Sequence, residues 1–131
     1  MATPAQSRLH ILVVTAALAA FVACDSSQPK PAVGGGPLPA ELQAGEAKFN
    51  ANCSACHGPQ GVGTQQGPPL VHKIYEPNHH GDAAFQRAAA NGVKAHHWEF
   101  GNMPKIDAVT PADVDQIIQY VRWLQRQAGI S

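Results

Sequence analysis

An excess of either charge is missing from this sequence. Its Lys and Arg residues number 9 and its Asp and Glu residues also 9, so the formal net charge is zero over 131 residues. Nothing here favours electrostatic capture of nucleic acid or of a strongly charged surface. Cysteine is scarce: Cys24, Cys53 and Cys56 are the only three, and no second C-x-x-C stands ready to complete a four-thiolate zinc site. Nothing around Cys53 and Cys56 reads as the βαβ setting of a thioredoxin-like redox pair. Apart from Met1, the one methionine is Met103. No paired carboxylates and no nucleophile beside a base are spaced as a catalytic site requires. The longest apolar run, Ile11 to Ala23, has thirteen residues. At about 1.5 Å per residue it falls well short of a hydrocarbon core of roughly 30 Å.

That run is the right length for something else. Arg8 precedes it, and a short basic start followed by such a stretch describes a secretory signal peptide over residues 1–23. It ends in Phe21-Val22-Ala23-Cys24, which resembles a bacterial lipobox, with Phe21 where Leu is usual. The resemblance implies lipidation of Cys24, an exported protein on the periplasmic side, and a membrane contact through the lipid. Ordinary cleavage after Ala23, leaving Cys24 as a free thiol, is the competing expectation. Residues 24–39 carry Pro29, Pro31, Pro37 and Pro39 around Gly34-Gly35-Gly36 and have no apolar periodicity, so they form a tether. The folded domain spans residues 40–131.

The domain is organised around Cys53-Ser54-Ala55-Cys56-His57. Two thiols three positions apart project from one side of a helical turn, where they can add across the two vinyl groups of a haem. The next residue, His57, then offers its imidazole to the iron. A mixed zinc site using Cys53, Cys56 and two histidines is the competing reading of this pentapeptide.

The spacing predicts a first helix over Glu41 to Asn52, with Leu42, Gly45 and Phe49 on one face. A glycine inside a helix costs about 1 kcal/mol relative to Ala, so Gly45 implies a closely packed partner. The Gly- and Pro-rich segment from Gly58 to Leu70 must be a loop. Asp82 is expected to cap a helix over Ala83 to Ala90, closed by Asn91-Gly92, with Phe85 and Ala89 inward. Val93 to Val109 is irregular. Thr110, Pro111 and Asp113 then open a last helix, along which Val114, Ile117, Ile118, Val121 and Leu124 make an apolar stripe beside Tyr120 and Trp123. Gly129 ends it.

From about Ala40 to Gly129 these features resemble a small bacterial class I cytochrome c. The resemblance rests on Gly45-x-x-x-Phe49, the Cys53-to-His57 motif, Gly67-Pro68-x-Leu70, Met103-Pro104 and a C-terminal helix with Tyr120. It implies an all-α fold of three to four short helices wrapped around one covalently bound haem c, with the first and last helices crossing. It also assigns roles. Cys53 and Cys56 carry the thioethers, and His57 and Met103 bind iron. The Pro68 carbonyl accepts from His57, Leu70 lies in the same cofactor-binding loop, and Gly45 and Phe49 meet Ile117 and Tyr120.

The implied function is single-electron transfer between redox protein partners such as a dehydrogenase, an oxidase or another cytochrome. A haem enzyme or gas sensor with an opening sixth site and a haem-free zinc-binding module are the competing classes. The pairs His79-His80 and His96-His97 are not required by the resemblance. They pose a second metal site of copper or zinc, solvated loop histidines, or His96 or His97 as the sixth iron ligand in place of Met103.

Overall fold

Thr110 and Asp113 start the longest helix by satisfying each other. The Asp113 amide donates to Thr110 Oγ1 at 3.2 Å and the Thr110 amide donates to Asp113 Oδ2 at 2.9 Å, a capping box with Pro111 at the first helical position. The computed structural model describes residues 36–131, and the signal segment, Cys24 and most of the tether lie outside the described residues. It contains α1 (Gln43–Asn52), α2 (Ser54–His57), α3 (Asp82–Asn91) and α4 (Pro111–Gln127), with single 3₁₀ turns at Ala40–Leu42, Pro59–Gly61 and Lys73–Tyr75. Among the described residues no strand forms, and no helix is long and apolar enough to cross a membrane.

The apolar stripe of α4 is buried as its spacing requires: Val114, Ile117, Ile118, Val121 and Leu124 all lose their solvent contact. Phe49, Leu70 and Tyr120 complete the core. Burying a side chain the size of Val121 or Leu124 contributes about 1.5–3 kcal/mol relative to leaving it exposed.

The first helix crosses the last at Gly45. A Cβ there would overlap the Gln116 carbonyl and lie 3.1 Å from Tyr120 Cβ, so only glycine lets the two backbones meet. One turn on, the Phe49 and Tyr120 rings pack at 5.6 Å between centroids. Lys48 Nζ donates to Asp113 Oδ1 at 2.5 Å beside this contact and ties the middle of α1 to the start of α4.

Asp82 does not cap α3. Gly81 occupies the N-cap position and Asp82 is the first helical residue, because its carboxylate accepts from Arg122 Nε at 2.8 Å instead. Arg122 is itself buried on α4. Its other nitrogens donate to the Tyr75 carbonyl at 2.6 Å, the His80 carbonyl at 2.5 Å and Gln125 Oε1 at 2.7 Å. Gln125 Nε2 in turn donates to the Leu70 and Tyr75 carbonyls. Two polar side chains thus fasten the whole of the 70–82 loop to α4, answering backbone acceptors that a loop cannot pair by itself.

Candidate functional site

The C-x-x-C-H segment folds as a break between two helices. Cys53 ends α1 at φ −122°, and α2 is a single turn closed by Gly58. The loop after it is drawn back over this turn: the Gly63 amide donates to the His57 carbonyl at 2.6 Å, and Thr64 Oγ1 donates to the Cys56 carbonyl at 2.6 Å. Gly67 lies so near that a Cβ would come within 2.9 Å of the Cys56 carbonyl oxygen. The next residue then meets the histidine. His57 Nδ1–H donates to the Pro68 carbonyl at 2.8 Å. A carbonyl can only accept, so Nδ1 holds the proton and the lone pair of the ring is on Nε2. Burial pushes His57 below the ordinary histidine range, while the Pro68 bond acts in the opposite sense.

The two thiols are unbridged. Burial, and secondarily Cys56, push the Cys53 thiol up to about 11. A redox-active cysteine needs the opposite, a thiol pulled down toward neutrality. Among the described residues the one group of three side chains poised to hold a metal ion is His79, His80 and His97, and it includes neither Cys53 nor Cys56.

Cys53, Cys56, His57, Pro68, Leu70 and Met103 all line one cavity of about 730 Å³, within the roughly 300–1,000 Å³ usual for cofactor sites. Met103 reaches it through a second irregular segment with a defined base. Val93 and Met103 exchange two backbone hydrogen bonds, each 2.9 Å. Gly92, at φ +73°, turns the chain out of α3 so closely that a Cβ would meet the Met103 carbonyl. The residues between carry Trp98 and the His96-His97 pair, which also line the cavity.

The donor set suits a haem. Two thiols, an imidazole with a free Nε2 and a thioether share a cavity whose walls combine apolar groups such as Phe85 and Val109 with polar ones such as Asn52, Arg87 and His80. The Trp98 indole Nε1–H is buried with no hydrogen-bond partner. The Tyr75 phenol, raised by burial, lies near it without meeting hydrogen-bond geometry.

The sequence motifs pick out Cys53, Cys56, His57, Pro68, Leu70 and Met103, which share the cavity, but neither Tyr75 nor the two fasteners. Arg122 and Gln125 escape a reading by hydrophobic period because both are polar, yet each stands four after a buried stripe residue, Ile118 and Val121. That register is the signal that they face inward. His79, His80 and His97 come together as neighbours, and His96 stacks beside them outside the trio.

A family model described as Cytochrome c matches residues 42–125. A comparison with curated proteins gives no match.

Proposed function

Starting from the chain's membership of the cytochrome c family, whose domain binds covalently attached haem c, we propose that it is a His/Met-ligated carrier of single electrons. Bound haem c supplies a one-electron couple between ferrous and ferric iron. Cys53 and Cys56 hold the group through thioether bonds. His57 is the proximal ligand through Nε2, and the Pro68 carbonyl fixes its tautomer and ring direction. Met103 is the sixth ligand, delivered to the cavity by its bridge to Val93. Ligands of this kind stay attached in both oxidation states, so little reorganises when an electron passes.

The partners are redox proteins that dock at the exposed cofactor edge. Residues 1–23 direct export, and a lipid on Cys24 holds the domain to a membrane by way of the 24–39 tether.

The observation that carries this reading is the His57–Pro68 hydrogen bond, with its free Nε2 in the cavity that Met103 also lines. Optical spectra of the purified holoprotein test it. A near-infrared charge-transfer band from sulfur to ferric iron, together with negligible carbon monoxide binding to the reduced form, is the expected result. Absence of that band, or rapid carbon monoxide binding at neutral pH, overturns it in favour of an open sixth site.

A further inference from the structure

His79, His80 and His97 come from two loops far apart in sequence, and nothing in the fold's core needs them together. Their ligating ring nitrogens all lie within 4.8 Å of one another. His79 Nε2 and His97 Nε2 are 3.2 Å apart. For a tetrahedral zinc with bonds of roughly 2.0–2.1 Å, adjacent ligand atoms are separated by about 3.3 Å. Two rings therefore already stand at the spacing of one coordination edge.

The third ring is oriented as a ligand. His80 Nδ1–H donates to the Ile74 carbonyl at 2.7 Å, which leaves its lone pair on Nε2. The backbone of His80 is fixed in turn, because its carbonyl accepts from the buried Arg122. This is the outer support that metal-ligating histidines usually have: the far nitrogen donates to a carbonyl and the ring cannot swing. His96 has the same arrangement, with Nδ1–H donating to the Lys94 carbonyl at 2.8 Å, and lies alongside His97 at 4.3 Å between ring centroids.

Four imidazoles pack against one another here, and among the described residues none of them is in an ion pair. Without a metal, one of His79 and His97 must donate to the other's Nε2. A cation removes the conflict, because the donating ring can move its proton to Nδ1 and present a second lone pair. All-imidazole donor sets suit zinc and copper.

We propose that His79, His80 and His97 form a mononuclear divalent transition-metal site of the zinc or copper class, with the remaining coordination positions open to solvent. The site rests on Met103 rather than His97 being the sixth iron ligand, since its three rings lie on the wall of the cavity that His57 and Met103 also line.

The test uses haem-loaded protein without an affinity tag, titrated calorimetrically with zinc and, separately, with copper(II) followed by electron paramagnetic resonance. One ion per chain is expected, with nitrogen hyperfine structure from imidazole in the copper spectrum. His79→Asn and His97→Asn, both at exposed positions, should each weaken binding at least about tenfold, whereas His72→Asn should leave it unchanged. Binding of either metal with this dependence supports the site. No stoichiometric binding, or affinity indifferent to His79→Asn and His97→Asn, overturns it. A changed ferric haem spectrum in His97→Asn also overturns it, since that ring would then belong to the iron.

Discussion

Arg122 on α4 donates to the carbonyl of His80, forty-two positions earlier in the chain, at 2.5 Å. The same guanidinium bonds Tyr75, Asp82 and Gln125 and lies 4.9 Å from the centre of the Phe85 ring. Its planar fork can serve several acceptors at once, which an ammonium cannot. Arg122→Ala leaves buried carbonyls without a donor and is expected to cost about 3 kcal/mol of stability. Arg122→Lys should recover less than half of that. Urea unfolding of the three holoproteins checks both; full recovery by lysine would show that charge alone matters.

Gly45→Ala sets two effects against each other. Alanine gains about 1 kcal/mol of helix propensity, but its Cβ would overlap the Gln116 carbonyl. Overpacking of this kind costs about 1–3 kcal/mol, and a backbone atom cannot move aside as a side-chain tip can. A net loss of stability is expected by thermal melting, and an unchanged or raised Tm would mean the helices can separate at little cost.

Asp113 makes stability depend on pH on the acid side. Hydrogen bonds from Lys48 and then from Thr110 hold its carboxyl well below the usual carboxylate range. As pH falls, the unfolded chain takes up this proton first. The stabilisation is therefore complete above the unfolded value near 4 and is lost progressively below it. Asp113→Asn should melt lower than the parent at neutral pH, with the gap closing under more acid conditions. A Tm series over that range decides it: a gap that stays constant would show that the carboxylate's charge is irrelevant.

Met103→His should lower the reduction potential while keeping the iron six-coordinate, because a thioether favours the ferrous state relative to a second imidazole. Potentiometric titration of both proteins checks the direction. An unchanged potential would place the sixth ligand elsewhere.

What the sequence made legible follows from how local each signal is. The Thr110-Pro111-x-Asp113 start, the α4 stripe and the Gly45/Phe49 face are short-range patterns, and each forms the element it implies. The C-x-x-C-H segment, Pro68, Leu70 and Met103 are marked by residue type and order, and they reach one cavity. Asp82 reads as a cap because nothing near it in sequence reveals that Arg122 claims its carboxylate from forty positions away. The histidine trio has the same character: two pairs are visible in the sequence, but their meeting depends on how two loops fold.

The helix crossing also has a consequence for the pace of folding. Lys48 and Asp113 are separated by 65 positions, and closing a loop of that length forfeits chain entropy on the order of 4 kcal/mol. No contact across the crossing exists until that closure is made, whereas the 70–82 loop can settle on α4 without it. A substitution at the crossing should therefore slow folding, while one that loosens the 70–82 loop from α4 should chiefly speed unfolding.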